Sequence, residues 1–582
     1  MNLNFFGRVS RIAAIGAILL ISAACIKVNE ELGENFIPTE HRWDVFTPDA
    51  VELKNIRLQM ADSLSGYSTS RFTFGAVKDD ISGTSVRSTS FTLVPVRDTM
   101  DFGKEGTMKI RQFHFSAVRD TLSMVYDNEV GILQNVLVSE LKKPLDSTIL
   151  YMGAFSDPAT LNKYVDIDNR ITDGIPVYSG GDSLSFDFSL DFAERFVQKL
   201  KKADMDSLDL FLNDLPGIFI TTDAPDINGG RINMFDLNLE TNSYEMITGN
   251  YAELKFTAEY EHSDEPVDTS FIFFFGPGDF IHVDENDKIT YPTQLALNTS
   301  SHSTAEEYGN GGKVAEENIY IEGGSGIKPV VKAEEIKMIL EDLMGQAGIK
   351  DPSEVVINKA TIILPYDVNG DYNALDKYPP VLSPTVRLRS SEGGYVSYAG
   401  LTDSSISSEN QGNINRSTFM YCPDISHHVQ EILKLDRNSA DYIKKIDNYD
   451  IWFLIMHEEV ISEETDNSYN DYYNNLLYSS YYNNMMYNPY GYGSYGGYGG
   501  YGYGGYGYGG YGGYGGYGYS SNYYNYMLMA QYASMNSSSS SDEEVSIELD
   551  TDRYYKGILN GPLSSGQKPS IKITFSAPKT AE

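Results

Sequence analysis

The sequence of 582 residues contains only two cysteines, Cys25 and Cys422, which excludes a disulfide scaffold and any metal site built from several thiolates. Basic residues are also scarce, because 44 Lys and Arg stand against 81 Asp and Glu and give a formal net charge of −37. Nucleic acid and anionic membrane surfaces repel so acidic a chain, and we expect neither as a direct partner. No stretch reaches the roughly 18 apolar residues that a membrane-spanning helix needs.

Residues 1–24 have the features of a secretory signal. Arg8 and Arg11 supply the positive start, and Ile12–Ile21 forms a short apolar core. The small residues at 22–24 lead directly into Cys25, which resembles a bacterial lipobox. Such a motif predicts that the Cys25 sulfur receives diacylglycerol, so that Cys25 becomes an acylated (palmitate-bearing) N-terminus. The alternative is an ordinary signal peptide with a cysteine there by chance.

The residues after Cys25 bear on the membrane to which the chain is sent. Lys27, Glu30 and Glu31 resemble the lysine-led acidic export signals of surface lipoproteins in Bacteroidota. We therefore expect a lipid-anchored protein of the outer membrane, on the cell surface rather than on the periplasmic face. The anchor itself would be held by the buried acyl chains, each CH₂ contributing about 0.8 kcal/mol.

Alternating apolar and polar residues recur along the chain from about residue 50. Leu184–Leu190 alternates without a break, and the same period appears in 252–260, 545–549 and 571–575. This period is typical of sheets with one solvated face. It predicts a mainly β protein, with antiparallel sandwich-like or barrel-like sheets.

Three apolar stripes at helical spacing interrupt the strands. The first follows Leu190, the second runs from Ile336 to Met344, and the third runs from Ile425 to Leu433 with Asp424 as its expected cap. We expect three short helices packed on sheet faces, without a chemical role.

The segment 466–541 has a different composition from the rest of the chain. Within it, residues 491–520 consist of 11 Tyr, 17 Gly and 2 Ser, and the flanks are rich in Tyr, Asn, Met and Ser. Such a segment has no period that would bury one face, so we expect a long disordered loop between two strands. The predicted organisation is a signal peptide at 1–24, a tether at 25–49, a strand-rich region with one helix at 50–290, a second β/α region at 291–465, the insert at 466–541, and strands that complete the second region at 542–582.

Several short segments, in this order, resemble the uncharacterised Bacteroidota lipoproteins catalogued as domain of unknown function 4270. These segments are 32–38, 153–158, 215–220, 320–328, 554–561 and 569–575. The resemblance implies a strand-rich lipoprotein, on the cell surface or in the periplasm, for which no activity is established. The insert departs from the family pattern.

Signatures of catalysis are missing from the sequence. The eight histidines are scattered, His457 lacks the second histidine that a zincin helix needs, and Cys422 has no surrounding signature. Gly323–Gly326 lacks the spacing of a phosphate loop and is better explained as a tight turn. We therefore expect no enzymatic activity and no cofactor.

Two weaker patterns concern calcium and glycans. The alternating oxygen ligands at 367–373 resemble half of a calcium loop, although positions six and twelve of an EF-hand are wrong, and ordinary turn residues explain the pattern as well. This low-ranked metal candidate comprises Asp367, Asn369, Asp371 and Asn373.

Asp-Ser/Thr pairs before an apolar residue or Thr resemble O-glycan acceptors of secreted Bacteroidota proteins. The acceptor candidates are Ser63, Thr99, Thr121, Ser147, Ser183 and Ser207.

Two functions remain open at this point, and an unidentified hydrolase ranks third, for which a cleft with paired carboxylates of raised pKa would be the mark. The first is a non-enzymatic surface lipoprotein in adhesion or assembly, or an accessory subunit of an outer-membrane barrel complex, with contacts made by the tyrosines of the insert. The alternative for the insert is repeat expansion in a loop without a function. The second is a carbohydrate-binding module that serves glycan uptake, although Trp43 and Trp452 are the only tryptophans for strong stacking. The expected partners are the outer membrane, through the lipid, and either barrel proteins or surface glycans.

Overall fold

The computed structural model describes residues 42–462 and 543–579, apart from short gaps. The gaps fall at 81, 97–99, 121–131, 147, 242–246, 262, 264, 277–278, 281, 284–288, 291–293, 310, 350, 369–371, 390–394 and 407–410. Within this part the chain is mainly β, its sheets are antiparallel and its helices are short. The predicted fold class is confirmed. The signal, Cys25 and the Tyr/Gly insert lie outside the described residues.

The first strands alternate with a few loops and helices up to residue 302. They are β1 Trp43–Phe46, β2 Val51–Glu52, β3 Ile56–Met60, β4 Tyr67–Ser68, β5 Arg71–Asp79, β6 Gly83–Pro95, β7 Lys109–Val118, β8 Gln134–Asn135, β9 Leu137–Leu141, β10 Val165–Arg170, β11 Val177–Tyr178, β12 Ser183–Asp187, β13 Ile218–Thr221, β14 Gly229–Asp236, β15 Glu240–Thr241, β16 Ile247–Gly249, β17 Tyr251–Ala258, β18 Val267–Gly276, β19 His282–Val283, β20 Ile289–Thr290 and β21 Ala296–His302.

The remaining strands follow residue 312. They are β22 Lys313–Val314, β23 Asn318–Glu322, β24 Ile327–Val331, β25 Val356–Pro365, β26 Val381–Arg389, β27 Tyr395–Gly400, β28 Ile414–Asn415, β29 Met420–Tyr421, β30 Ile451–Ser462, β31 Glu543–Leu549, β32 Lys556–Asn560 and β33 Ser570–Pro578. The helices are α1 Pro158–Tyr164, α2 Leu190–Leu200, α3 Leu208–Asp214, α4 Ala305–Tyr308, α5 Ala333–Gln346, α6 Thr402–Ile406, α7 Ser426–Lys434 and α8 Tyr442–Ile446.

The largest sheet has twelve strands and curls toward a barrel. Its long path runs β10-β9-β13-β6-β18-β17-β7-β12, while β5 pairs with β6 and β14, and β21 pairs with β6 and β4. Beyond the end of β7 an isolated bridge joins Arg119 to Phe235, and the Asp120 N–H donates to the Met234 carbonyl at 3.0 Å. This contact brings β14 against β7, so that β6, β18, β17, β7, β14 and β5 form a nearly closed ring.

Phenylalanine rings fill this ring of strands. Phe275 lies 4.9 Å from Phe91 and 4.8 Å from Phe115 between ring centroids. Helix α2 covers one side, because Phe192 and Phe196 pack on Phe113. Because side chains alternate along a strand, every second side chain points toward the interior. Close aromatic pairs stabilise this core beyond the burial of apolar area.

A second core lies between a six-stranded and a seven-stranded sheet. The six-stranded sheet runs β1-β33-β25-β29-β28 with β2 beside β33, and the seven-stranded sheet runs β22-β3-β24-β30-β26-β27 with β31 beside β30. Buried residues from β30, β33, α5 and α7 share one apolar cluster. This part of the protein is therefore a sandwich-like pair of sheets with helices packed against them.

The sheets do not follow the linear order of the predicted regions. β1 and β2 pair with β33, and β3 pairs with β24, so residues 43–60 belong to the sheets of the C-terminal part. Conversely, β21 pairs with β6 in the twelve-stranded sheet, although residues 296–302 fall after the predicted boundary at 290. The predicted tether at 25–49 thus ends in a paired strand.

The three predicted helices are present as α2, α5 and α7, and the N-terminal cap of α7 differs from the expected one. Asp403, in helix α6, accepts hydrogen bonds from the His427 N–H at 2.5 Å and the His428 N–H at 3.0 Å. Asp424 accepts from the Ser426 N–H at 2.9 Å, so it caps only the first residue. Sequence spacing identifies Asp424 because it is adjacent, whereas Asp403 reaches the helix end through tertiary packing.

The two strands that bracket the Tyr/Gly insert pair with each other. β30 lies between β24 and β26 over its first half, and its second half pairs with β31 from Met456↔Leu549 to Ser462↔Glu543. The insert therefore leaves and re-enters the body at neighbouring positions of one antiparallel ladder. No helix in the described part of the chain is long and apolar enough to cross a bilayer.

Candidate functional site

A cluster of buried charges joins the twelve-stranded sheet to the C-terminal sheets. Arg87, in the middle of β6, is fully buried and donates from Nη2 to the Gly323 carbonyl at 3.0 Å. Its Nη1 lies 3.4 Å from the Thr551 carbonyl. A guanidinium can remain buried because carbonyl and carboxylate oxygens replace its water. Here those oxygens come from segments more than 200 residues away in the sequence.

The turn at Gly323–Gly326 links two strands that belong to different sheets. β23 pairs with β32, and β24 pairs with β3, so the turn carries the chain from one sheet into the other. The Gly326 N–H donates to the Gly323 carbonyl at 3.2 Å, which confirms the predicted tight turn. Gly324 has a φ of +57°, and a Cβ there would stand 1.9 Å from Nη2 of Arg87. The turn and the guanidinium therefore fit together only with glycine.

The buried Lys328 ammonium occupies the inside of this turn. Its Nζ donates to the carbonyls of Glu322, Gly324 and Gly326, the last two at 2.7 and 3.1 Å. A phosphate loop presents backbone N–H groups to an anion, whereas this turn presents carbonyl oxygens to a cation. Burial lowers the pKa of Lys328 to about 7, although the nearby Glu322 carboxylate favours the charged ammonium and opposes this shift.

Glu322 supplies the negative charge at the centre of the cluster. Its side chain is 3% exposed, and one carboxylate oxygen lies 3.5 Å from Nδ1 of His302. Burial by itself raises the pKa of Glu322, but His302, Lys328 and Arg87 outweigh it and bring the value down to about 2. His302 also contacts the Ser85 hydroxyl at 3.1 Å. The carboxylate is therefore ionised at neutral pH.

A second set of charges follows directly after β31. Asp550 pairs with Arg553 at 2.9 Å, and the Nδ1 of His457 lies 3.6 Å from the same Asp550 oxygen. Asp552 accepts from the Asn298 amide at 3.3 Å and from the Ser68 hydroxyl at 3.4 Å, both in the twelve-stranded sheet. Burial and the Asp550 charge raise the pKa of Asp552 to about 6, although nearby arginines oppose the shift.

The cluster is a joint between the two parts of the body. Arg87, Glu322, Lys328, Asp550 and Arg553 are each less than a tenth exposed. Further out, the Lys556 ammonium pairs with Asp79 at 2.5 Å and again connects a C-terminal strand to the twelve-stranded sheet. Opposite charges offset one another across the two parts, while both carboxylate oxygens of Glu322 and Nε of Arg87 have no hydrogen-bond partner among the described residues. We interpret the cluster as a contact that holds the two parts in register.

A cavity of about 300 Å³ lies elsewhere, between β3 and the start of α5. Its polar groups are already engaged within the protein. Glu335 accepts from the backbone N–H groups of Lys54 and Asn55, and both Arg57 and Gln59 donate to the Gly311 carbonyl. With its donors and acceptors occupied in this way, the cavity has little to recognise a polar ligand.

The residues predicted for lipid attachment and export lie outside the described part of the chain. This applies to Cys25, Lys27, Glu30 and Glu31. Of the calcium candidates, Asp367 is exposed, Asn369 and Asp371 are not described, and only the backbone of Asn373 is described, in the 3₁₀ turn Tyr372–Lys377. Within the described residues no group of three His, Cys, Asp or Glu side chains is placed to hold a metal ion.

The glycan candidates lie in different environments. Ser63 is 4% exposed, and its hydroxyl donates to Asp62 and accepts from Arg387, so a sugar on Ser63 would require this loop to open. Ser183 is exposed at the start of β12, and Ser207 is half-buried before α3. The other three candidates, Thr99, Thr121 and Ser147, lie outside the described residues.

The buried His428 lies in helix α7, whereas the described cysteine, Cys422, lies between β29 and that helix. His428 is buried, and its Nε2 contacts the Tyr449 carbonyl at 2.8 Å; burial lowers its pKa to about 4. Cys422 is half-buried rather than fully buried, and burial raises the pKa of its thiol. A raised pKa leaves little thiolate at neutral pH, so this thiol is a poor nucleophile.

Sequence reasoning missed the buried charges, because each one is an isolated ionic residue in a strand or turn. The only local signal is the pair of acids and the arginine at 550–553, directly after an alternating strand. Comparison of the chain with protein-family models, with curated proteins and with solved structures finds no match. The resemblance to the domain of unknown function 4270 lipoproteins therefore stays a prediction.

Proposed function

We propose that this protein is a lipid-anchored outer-membrane protein without enzymatic activity, which uses its Tyr/Gly insert for adhesion or for assembly with outer-membrane barrel proteins. Cys25 carries the lipid in this proposal, and the cell surface is the expected location. The β-rich body acts as a rigid support, and the insert at 466–541 makes the contacts.

The observation that carries this proposal is the register of β30 and β31. Ser462 and Glu543 are paired residues at the end of one ladder, so the chain on either side of the insert is held at the spacing of adjacent strands, about 5 Å. The other end of β30 is embedded, since Phe453 and Leu454 are fully buried between β24 and β26. A long segment attached in this way can vary in length or contacts without disturbing the core.

The chemistry of the insert suits weak and repeated contacts. Tyrosine combines a flat apolar ring with a hydrogen-bonding hydroxyl and has few rotatable bonds to order, so it contacts proteins and sugars effectively. Eleven tyrosines in residues 491–520 offer many such contacts at once. Multiplicity of this kind raises overall affinity even where each contact is weak.

The carbohydrate-binding alternative has less support from the body itself. Among the described residues, the exposed aromatic side chains are Trp43 and Tyr372, and they lie on separate elements. Trp452 is buried against Tyr398, with the Arg387 guanidinium 4.9 Å from its ring centroid. A glycan platform normally groups several exposed rings, and the described residues present no such group.

The first experiment tests the anchor. The full-length chain and the Cys25→Ala variant are expressed in the native host, membranes are separated, and the mature N-terminus is identified by mass spectrometry. We expect an acylated Cys25 in the outer-membrane fraction and release of the variant from membranes. Membrane retention of the unacylated variant would overturn the lipid anchor.

The second experiment tests the insert. Tagged protein is captured from gently solubilised outer membranes and compared with a variant in which the tyrosines of 491–520 are replaced by serine, which keeps the length and glycines unchanged. We expect stoichiometric barrel partners with the parent chain and their loss with the variant. Equal recovery of partners with the parent chain and the serine variant would exclude the tyrosines as the contact. If neither protein recovers a partner, adhesion remains as the function, and cell-binding assays with the parent chain and the variant test it.

A further inference from the structure

The two tryptophans of the chain lie in opposite environments. Trp452 is 4% exposed inside the seven-stranded sheet, whereas Trp43 is 49% exposed on β1. β1 is the edge strand of the six-stranded sheet and pairs only with β33 among the described strands. A large apolar ring on an edge strand is unusual for a surface that faces only water, since charged side chains commonly protect such edges.

Trp43 does not stand alone on this surface. The register places Val45, Ser576 and Val356 side by side across β1, β33 and β25, so these three side chains share one face of the sheet. Val45 is 65% exposed and Val356 is 47% exposed. The opposite face of β1 turns inward, because Phe46 stacks on Phe575 at 5.2 Å. We call the outward surface formed by Trp43, Val45 and Val356 the Trp43 face.

Two basic residues lie just beyond the Trp43 end of the β1–β33 pair in a strongly acidic protein, at the side-chain positions that alternate with Trp43. The Lys579 N–H donates to the Arg42 carbonyl at 2.8 Å, so both basic residues lie at the end of the β1–β33 pair next to Trp43. The acid on β1 is Asp44, which is exposed. Indole rings accompanied by Lys and Arg are typical of the membrane–water interface, where the ring enters the headgroup region and the cation faces the phosphates.

The position of β1 along the chain brings this face close to the predicted lipid. Residues 26–42 separate Cys25 from Trp43. A chain of that length can reach at most about 60 Å, whatever its conformation. An acylated Cys25 would therefore keep the Trp43 face within reach of the bilayer at all times, and a contact too weak to recruit a free protein would suffice for a tethered one.

We propose that the Trp43 face rests on the zwitterionic phospholipid headgroups of the membrane in which Cys25 is anchored, and so gives the body a fixed orientation. This inference depends on the lipid anchor of the proposed function. The occupant is the bilayer surface itself, because the apolar residues, the flanking cations and the tether all lead to the same end of the sheet.

The test uses the fluorescence of Trp43 in the acylated full-length protein. The protein is reconstituted into zwitterionic phosphatidylcholine vesicles, with or without bromine-labelled acyl chains, and tryptophan is excited beyond the tyrosine absorption. The Trp43→Tyr variant, acylated in the same way, gives the background from buried Trp452, and the difference is the signal of Trp43. Because Trp43 is half-exposed at an edge, this substitution leaves the core unchanged.

We expect quenching of Trp43 by brominated lipid and a severalfold decrease in its quenching by aqueous acrylamide, relative to the soluble Cys25→Ala protein. Protein that floats with the vesicles while Trp43 stays open to acrylamide and unquenched by bromine overturns this inference alone. Shielding from acrylamide without bromine quenching also overturns it and indicates a protein on this face. Failure of the protein to acquire a lipid or to float overturns the anchor, and this inference with it.

Discussion

Substitution of Gly324 by alanine tests whether the buried charge cluster holds the two parts of the body together. Gly324 has a φ of +57°, which costs a residue with a Cβ about 1 kcal/mol. The new Cβ would also stand 1.9 Å from Nη2 of Arg87. The end of an arginine side chain can usually move aside, but this guanidinium is fully buried and would leave the Gly323 carbonyl without its donor. A hydrogen bond from a charged group contributes about 1.5–3 kcal/mol.

We therefore expect Gly324→Ala to lower the free energy of unfolding by about 2.5–4 kcal/mol, measured by urea denaturation with circular dichroism and tryptophan fluorescence. Gly106→Ala is the matched control, because Gly106 has a φ of +78° and nothing within 4 Å of the position of its Cβ. This control should lose only the backbone contribution of about 1 kcal/mol. Equal losses for the two variants would refute the fit between the turn and Arg87.

Three further perturbations have defined outcomes. Burial and the Asp550 charge raise the pKa of Asp552 to about 6, so its ionised form destabilises the folded state, and this contribution lowers stability as the pH rises from about 4 to about 6. Asp552→Asn should therefore stabilise the protein by about 1–2 kcal/mol at pH 7 and have little effect at pH 4. The measurement is the difference in the free energy of unfolding between parent and variant, from urea denaturation at each pH. Equal effects at both pH values would contradict the raised pKa of Asp552. Asp403→Ala should lower the free energy of unfolding by about 2 kcal/mol, because two N–H groups of α7 lose their acceptor. This loss should be about twice that of Asp424→Ala, which removes the acceptor of one N–H group. The reverse order of the two variants in thermal denaturation would restore Asp424 as the main cap. Deletion of residues 468–536 should change the melting temperature by only a few degrees in calorimetry, since Ser462 and Glu543 stay paired, whereas a large loss of stability would mean that the insert is packed into the body.

Local patterns were sufficient to predict the three most amphipathic helices and several strands, but not the five shorter α-helices of the described residues, and the pairing of the strands was not predictable. The alternation in 252–260 and 571–575 corresponds to β17 and β33, and the apolar stripe from Ile336 to Met344 corresponds to α5. A period of two identifies which face of a strand is buried but not which strand lies beside it. The pairing of β1 with β33 and of β3 with β24 depends on complementary surfaces that form only in the folded chain.

The charge cluster was unpredictable for a related reason. Arg87 lies in β6 among Ser and Thr residues and looks like a solvated position in a polar strand. It is buried because the turn at Gly323–Gly326 and the segment after β31 cover it with oxygen atoms. A charged residue reveals its burial only through such distant partners, which a single sequence does not place.

The pairing of β1 with β33 also sets an order of events during synthesis. The first described strand of the chain has its only described neighbour in the last one, so β1 leaves the ribosome long before its partner exists. β33 also lies between β1 and β25, and the six-stranded sheet cannot form its centre until β33 arrives. A chain stopped before residue 570 would thus keep β1, β2 and the inner edge of β25 unpaired, and exposed strand edges of this kind are sites of aggregation. Completion of the six-stranded sheet therefore depends on residues 570–578.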